Sequence, residues 1–530
     1  MNWSEKVTHT LEALLDFSEQ HGLFEAVDRP YYRNLLLDVM GLDAPDGDVA
    51  PSADVPATAT QLLRTLCDLA VEKGIIEDMG YVRDLFSARV MGLMTPSPKE
   101  VRDTFLGLID AGEPEKATQY FYDMCRVCDY IKVDAIAQNV RYFADSPAGE
   151  LEITINLSKP EKDPKEIAKL KNAPSVGYPK CMLCIENPGY AGRSNFPARQ
   201  NHRVVPLKLA SQDWYMQYSP YAYYPEHCIV FNSKHIPMKI DRGTFERLFS
   251  FVGQMPHYML GSNADLPIVG GSILNHDHFQ GGRYSFPMDH CGVRAELTSP
   301  NAKVNACVLD WPMAAVQLSG TDETALIDEA ERILNAWRGY SDPDCDVYAE
   351  TEGNPHNTIT PILRRVDGVY RLNLVLRNNR TSEEHPLGIF PCAAAPHQEG
   401  EHRPDRGDGP VHPARPPEDR AGVAAGLPHR QATHGASRGQ RSLRQALRLA
   451  GAAGGGARPV QGRRGGCGLP AQRGGQGLRA GTGGRRRLQA GREGPGGHQA
   501  VHGDRGLPGL SVTKKGRGVT AAPLSLFYLA

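Results

Sequence analysis

Residues 270–282 read GGSILNHDHFQGG, with two histidines two positions apart and a glutamine two positions later. Alternate side chains of extended backbone share a face, so His276 and His278 are expected to point into one site. A neutral imidazole can attack phosphorus, the glycines allow backbone to approach phosphate oxygens, and Gln280 adds an amide donor. The stretch therefore predicts a phosphate-handling site. The alternative is a loop whose histidines only hydrogen-bond their neighbours.

The charge of this 530-residue chain changes near residue 390. Residues 391–530 hold 22 Lys and Arg against 8 Asp and Glu, whereas residues 1–390 hold 37 against 53. An acidic body argues against broad nucleic-acid binding, although local pockets for phosphate remain compatible with it. The length suffices for two or more domains.

The cysteines and the N-terminus indicate in which cellular compartment the protein is expected. The 11 cysteines form an odd set, and the first residues carry no apolar stretch behind a basic start. No run approaches the roughly 20 apolar residues of a membrane span. We expect a reduced, cytoplasmic protein with no membrane contact.

Periodicity predicts a mainly helical region over residues 1–150, where leucines recur at helical spacing. Strand-like alternation follows at 151–157, 228–231 and 372–376. Helical patterns lie between these strands, at 242–260 and 322–338. The pattern indicates an α+β fold with an antiparallel sheet.

The composition changes again from Pro391 onward, where Gly, Arg, Ala and Pro dominate and Ile, Met, Asn and Trp are absent. A disordered, RNA-binding Arg/Gly tail is one interpretation, but regular repeats and interleaved aromatic residues are lacking. A frame-shifted gene accounts for it better, because residues 395–422, read one base later with suitable codons, give a protein-like string. We expect no stable fold in 391–530, and resequencing around the Phe390 codon tests the frameshift.

Several motifs, in order along residues 1–390, resemble one family. They are YPKCMLCIEN at 178–187, PARQNHR at 197–203, NHDHFQGG at 275–282, PHNTITP at 355–361 and LRNNRTS at 376–382. Together they resemble the second, bacterial class of UDP-glucose–hexose-1-phosphate (galactose-1-phosphate) uridylyltransferases.

The resemblance implies a histidine-triad-like fold built from two related half-barrel units, and a homodimer. The domain organisation then expected is a helical region at 1–150, a catalytic unit at 151–320, a truncated second unit at 321–390 and a disordered tail at 391–530.

The resemblance also implies a two-step exchange on UDP-glucose. His278 would attack the α-phosphorus, release glucose 1-phosphate and carry the uridylyl group to galactose 1-phosphate, giving UDP-galactose. Gln280 would donate to a phosphoryl oxygen, and His276 would support the nucleophile. Gly271, Ser272 and Asn275 are expected to contact phosphate.

A metal site follows from the same resemblance. Cys181 and Cys184 have zinc-ligand spacing, and His235 and His276 match the remaining ligands of the first class. Such a zinc would be structural. The alternative, a reduced cysteine pair without metal, stays open.

Two arginines, Arg193 and Arg199, are candidates for placing charge near the pyrophosphate. The alternative is that both are solvated or paired with nearby groups.

Two other functions stay open. A histidine-triad nucleotide hydrolase would use water as acceptor. An inactive product of a uridylyltransferase gene would follow from the altered C-terminal segment.

Overall fold

Helices make up most of the described chain before residue 137. The computed structural model describes residues 1–47, 56–146, 149–158, 176–270, 273–383, 385–386 and 388–389. Within them, the N-terminal helices are α1 Trp3–Gln20, α2 Arg29–Met40, α3 Thr60–Glu72, α4 Gly80–Met94, α5 Pro98–Asp110, α6 Pro114–Val127 and α7 Val133–Ile136. The helical region predicted before residue 150 is therefore present.

Local sequence explains how these helices begin and what they bury. Ser97 caps α5 by accepting from the Glu100 amide, and the Glu100 carboxylate accepts from the Ser97 amide. Pro98 occupies the first turn, where its missing N–H costs no helical hydrogen bond. On α1, every residue from Thr10 to Ser18 is buried, so the second half of this helix is enclosed on all sides.

Ten strands form one antiparallel sheet, and four more form two small hairpins, counted over the described residues. The strands are β1 Val140–Ser146, β2 Gly149–Ile155, β3 Val205–Leu209, β4 Gln212–Tyr218, β5 Cys228–Asn232, β6 Met259–Ser262, β7 His278–Gly282, β8 Val293–Leu297, β9 Asn305–Leu309, β10 Ala315–Gly320, β11 Glu350–Thr351, β12 Asn354–Pro355, β13 Asn357–Val366 and β14 Val369–Asn378. The order in the large sheet is β3-β4-β5-β7-β6-β13-β14-β10-β9-β8. β1 pairs with β2, and β11 pairs with β12.

The two halves of the large sheet share one topology. In each half, three consecutive strands are followed by a helix and then by two strands, the second of which lies next to the third strand of the half. The helices are α8 Arg242–Gln254 in the first half and α9 Glu323–Arg338 in the second. β6 and β13 join the halves as an antiparallel pair.

The main core lies between one sheet face and the helices. Trp214 and Phe279 point to this side and are fully buried, and α8 and α9 pack over the same face. Side chains alternate across a strand, so His278 and Gln280, on either side of Phe279, belong to the opposite face. The sheet thus presents the two functional candidates away from the helical core.

The structure confirms the α+β class and corrects one element. The strands predicted at 228–231 and 372–376 lie in β5 and β14, but the helix predicted over 242–260 ends at Gln254. Met255 leaves helical geometry because a residue before proline is pushed out of the α region, and Pro256 follows. The prediction for 391–530 lies outside the described residues.

Candidate active site and metal cluster

His278 is the first residue of β7, a strand bordered by β5 and β6. Its Nδ1 lies 2.8 Å from the carbonyl oxygen of His276. Because a carbonyl can only accept, Nδ1 carries the proton, and Nε2 is left with a lone pair. Burial lowers the pKa of His278 to about 4, so the ring is neutral near pH 7. The geometry supplies an unprotonated ring nitrogen suited to nucleophilic attack.

His276 has different surroundings, although it lies only two residues earlier. Its Nε2 donates to the carbonyl oxygen of Asn232 at 2.8 Å, and its Nδ1 faces Cys181 and Cys184. Alternation along a strand predicted that the two imidazoles point into one site. They instead have separate sets of partners. The reason is that β7 begins at His278, whereas His276 still belongs to the preceding turn.

Four side chains form a metal-ligand cluster beside His276. Cys181 Sγ lies 3.6 Å from Cys184 Sγ and 3.2 Å from His276 Nδ1, and Cys184 Sγ lies 3.2 Å from His235 Nδ1. All four ligand atoms lie within 4.8 Å of one another. Tetrahedral zinc with bonds of about 2.3 Å to sulfur and about 2.0 Å to nitrogen separates its ligands by roughly 3.3–3.8 Å. These residues could bind a metal, and their spacing fits zinc.

Hydrogen bonds hold the cluster in shape. Asn187 is fully buried and donates to the carbonyls of Cys181 and Cys184, which sets the turn between the two thiols. The bond from His276 Nε2 to Asn232 fixes the His276 tautomer that turns Nδ1 toward sulfur. Burial raises the pKa of the Cys181 thiol, so coordination would have to supply the positive charge that favours a thiolate.

Gln280 lies on the same face as His278 and is only partly buried. It pairs across the sheet with Ile229 on β5 and Gly261 on β6. Its Nε2 donates to Asn263 Oδ1 at 3.2 Å, and its Oε1 lies 3.1 Å from His227 Nε2. The second N–H of this amide is available for a phosphoryl oxygen.

Asn263 and His227 were not predicted from the sequence. His227 directly precedes β5 and alternates with Ile229 and Phe231, so its side chain belongs to the same face as theirs. Only the register between β5 and β7, in which Ile229 pairs with Gln280, shows that this face lies next to Gln280. Asn263 follows β6 directly, and its Nδ2 lies 3.2 Å from His278 Nε2. Fifteen residues separate Asn263 from His278, so no local pattern connects them.

The loop between β6 and β7 is attached to the second half of the sheet. Arg377, near the end of β14, donates twice to the carbonyl of Val269, at 3.0 Å and 2.6 Å. Thr358 on β13 donates to Asp265, whose carboxylate also accepts from the Ile240 amide. The backbone that leads to residues 271 and 272 is therefore held by strands of the other half.

The predicted substrate-binding residues are dispersed. Gly271 and Ser272 lie outside the described residues, and Asn275 is exposed in the turn before His276. Arg193 donates to Asn195, Tyr190 and two carbonyls of its own loop, which occupies its guanidinium. Arg199 is buried and donates to Tyr130. Their part in substrate binding stays a prediction.

The glycines at the end of the motif serve packing. A Cβ on Gly281 would lie 2.6 Å from the Met259 carbonyl oxygen, and one on Gly282 would lie 2.8 Å from that of Glu226. No side chain fits at either position without displacing neighbouring backbone. Glycine is therefore needed here because neighbouring protein backbone comes close. The sequence had instead suggested that these glycines let the backbone approach phosphate oxygens.

The antiparallel sheet of two related halves thus presents a neutral histidine and an amide on one face, beside a Cys₂His₂ cluster, and this arrangement is compatible with nucleotidyl transfer. Residues 22–237 match the family described as galactose-1-phosphate uridyl transferase, N-terminal domain. The chain is 50% identical over 398 residues to the galactose-1-phosphate uridylyltransferase of Caldanaerobacter subterraneus, covering 74% of this chain and 76% of that protein. It is 46% identical over 398 residues to the Bacillus subtilis protein of the same name, with coverage of 74% and 76%. The chain belongs to the galactose-1-phosphate uridylyltransferase family.

Proposed function

We propose that this chain transfers a uridylyl group from UDP-glucose to galactose 1-phosphate, yielding UDP-galactose and glucose 1-phosphate. The observation that carries the proposal is the His278 ring, whose Nδ1 donates to a carbonyl while Nε2 keeps its lone pair. Family membership supports the substrates, because the relatives carry the name of this activity.

The reaction proceeds in two displacements at phosphorus. His278 Nε2 attacks the α-phosphorus, the bond to the glucose 1-phosphate oxygen breaks, and that oxygen leaves with the electron pair. A phosphate oxygen of galactose 1-phosphate then attacks the same phosphorus, and the phosphorus–nitrogen bond breaks to restore the lone pair of His278. The free N–H of Gln280 donates to a nonbridging oxygen as negative charge develops there.

The Cys₂His₂ cluster has a structural part in this proposal. Zinc, when bound, would orient ligands and would activate no water. Cys181, Cys184, His235 and His276 would hold it, and His276 would thereby be fixed in place. The carbonyl of His276 is the group that accepts from His278 Nδ1, so the position of that ligand sets the tautomer of the nucleophile.

The domain division proposed here follows the strand order. We place the end of the helical region after α7, which ends at Ile136, and the boundary between the two related units between β7 and β8, before the predicted position at residue 320. The support is that β8, β9 and β10 adjoin β14 in the sheet. Two statements remain predictions: that the second unit is truncated, and that residues 391–530 have no stable fold.

A cytoplasmic homodimer completes the proposal. None of the nine cysteines in the described part of the chain forms a disulfide, which suits a reducing compartment. No helix in that part is both long and apolar enough for a membrane span. Dimerisation rests on the family resemblance alone, and light scattering of the purified chain tests it.

Isotope exchange tests the proposed reaction. The full chain is incubated with UDP-glucose and radiolabelled glucose 1-phosphate, without galactose 1-phosphate. A covalent intermediate predicts label in UDP-glucose, because the first half-reaction reverses. Exchange without later formation of UDP-galactose would indicate a chain that completes only the first step. Release of UMP in place of exchange would support the hydrolase alternative.

A further inference from the structure

Gln280 is held at both ends of its side-chain amide by residues that form no bond in the proposed reaction. His227 Nε2 lies 3.1 Å from Gln280 Oε1, and Gln280 Nε2 lies 3.2 Å from Asn263 Oδ1. Asn263 Nδ2 lies 3.2 Å from His278 Nε2. The four side chains form one chain of hydrogen bonds from His227 to the nucleophile.

The donor and acceptor of every hydrogen bond between these four side chains follow from a single carbonyl, that of His276. The His276 carbonyl can only accept, so His278 donates from Nδ1 and accepts at Nε2. Asn263 must then turn its NH₂ group toward His278 and its oxygen toward Gln280. Gln280 in turn donates to Asn263 and presents its own oxygen to His227, which therefore carries its proton on Nε2.

His227 is built into the sheet in a way that suits this donor role. Its side chain is buried beside the rings of Tyr223 and Tyr224, whose centroids lie 5.4 Å and 4.6 Å away. Among the described residues its Nδ1 has no hydrogen-bond partner, so the bond to Gln280 is the one polar contact of the ring. Burial lowers the pKa of His227 to about 4, which keeps the ring neutral with a single N–H.

We propose that His227 is a positioning residue, which locks the amide of Gln280 in the orientation that donates to Asn263 and leaves its second N–H for the phosphoryl group. This inference rests on the proposed function, because it assigns Gln280 and His278 their parts in uridylyl transfer. Without a donor at position 227, Gln280 Oε1 loses the bond that restrains this end of the amide, and Asn263 alone holds the side chain. The amide can then swing out of line, which weakens both its donation to phosphate and its support of His278 through Asn263.

Single-turnover kinetics of the full chain test the proposal. Excess enzyme is mixed with UDP-glucose, and release of glucose 1-phosphate is followed together with the apparent Kd. His227→Leu, which removes the donor, is expected to slow release about 10–100-fold and to change the Kd by less than about 3-fold. His227→Gln places an amide N–H near the same point and is expected to recover most of the rate. His9→Leu, an exposed histidine on α1, is the matched control.

A double-variant cycle separates positioning from general damage. His227 acts through Gln280, so His227→Leu is expected to slow release less than about 2-fold when Gln280→Ala is already present. A purely structural role would slow both backgrounds equally. His227→Asn, polar but too short to reach Gln280, takes the place of the leucine variant if thermal unfolding shows that the latter does not fold.

Two results overturn different claims. Additive losses in the cycle, or an unchanged rate in His227→Leu and His227→Asn, contradict the positioning role while leaving the proposed reaction intact. Absence of a uridylyl adduct in the unmodified chain contradicts the proposed function itself. Rates in this experiment are compared per folded molecule, measured by circular dichroism on each sample.

Discussion

At the residue scale, the His276 carbonyl links two parts of the site. Its own side chain faces the cysteine pair through Nδ1, and its main chain accepts from the nucleophile candidate His278. A shift of His276 would therefore disturb both the metal cluster and the tautomer of His278. This coupling explains why a cluster without a reactive role can affect transfer.

Loss of one thiol tests the cluster. Cys181→Ser is expected to abolish bound zinc, because the hydroxyl remains protonated and is a poor zinc ligand, and to slow uridylyl transfer about 10-fold or more. Elemental analysis and single-turnover rates provide the measurements. Cys67→Ser, at a buried cysteine outside the cluster, is the control and should retain the metal. Equal metal content in both variants would contradict the assignment.

Close packing at the end of β7 gives a second prediction. Gly281→Ala places a Cβ 2.6 Å from the Met259 carbonyl oxygen, so the free energy of unfolding should fall by about 1–3 kcal/mol. Urea denaturation measures the change. Gly292→Ala is the matched control, because the nearest atom lies 3.8 Å from the added Cβ, and it should be close to neutral. Similar effects in both variants would refute the packing argument.

At the element scale, the loop between β6 and β7 depends on the second half of the sheet. Arg377 on β14 and Thr358 on β13 hold Val269 and Asp265 in that loop. Trp337 on α9 donates to the carbonyls of Thr358 and Arg377, so the helix fixes the ends of both strands. The second half thus holds the loop that precedes β7, whereas the candidate nucleophile His278 belongs to the first half.

Replacement of the loop-holding arginine tests this dependence. Arg377→Lys loses the paired donation to Val269, and hydrogen bonds from charged groups contribute about 1.5–3 kcal/mol. Uridylyl transfer is expected to slow at least about 10-fold in single-turnover assays. Arg365→Lys, an exposed arginine of β13, should leave the rate unchanged. A normal rate in Arg377→Lys would show that the loop holds its shape unaided.

Element predictions succeeded where the signal is local. The alternation in β5 and β14 is readable from adjacent residues. The end of α8 was misplaced because the apolar pattern continues into β6. His227 and Asn263 could not be predicted, since their meeting with Gln280 depends on the register between strands far apart in sequence. The metal ligands were suggested by resemblance, because spacing alone identifies only the Cys181 and Cys184 pair.

At the scale of the whole molecule, several neutral histidines are enclosed by the fold. Burial lowers the pKa of His227 and His257 to about 4, and it also holds the pKa of His202 well below its ordinary value. Unfolded histidine titrates near pH 6.5, so between about pH 6.5 and 4 the unfolded chain binds more protons than the folded one. Stability is therefore expected to be full above about pH 6.5 and to fall as the pH decreases through this window.

One variant isolates part of this acid sensitivity. His257→Gln keeps a polar partner for Thr118 but cannot gain a proton. Its stability should fall less than that of the unmodified chain between pH 6.5 and 4.5, by about 1–3 kcal/mol, in urea denaturation at each pH. His9→Gln, on the exposed face of α1, should show the unmodified slope. Parallel curves for all three proteins would rule out this contribution from His257.

The intact mass of the chain after incubation with UDP-glucose alone decides whether His278 is the nucleophile. A covalent uridylyl-His278 intermediate predicts a mass gain of one uridylyl group, located on His278 by fragmentation, lost on addition of galactose 1-phosphate, and absent from folded His278→Ala. An adduct that persists in His278→Ala, or one located on another residue, would contradict the assignment of His278 as the nucleophile.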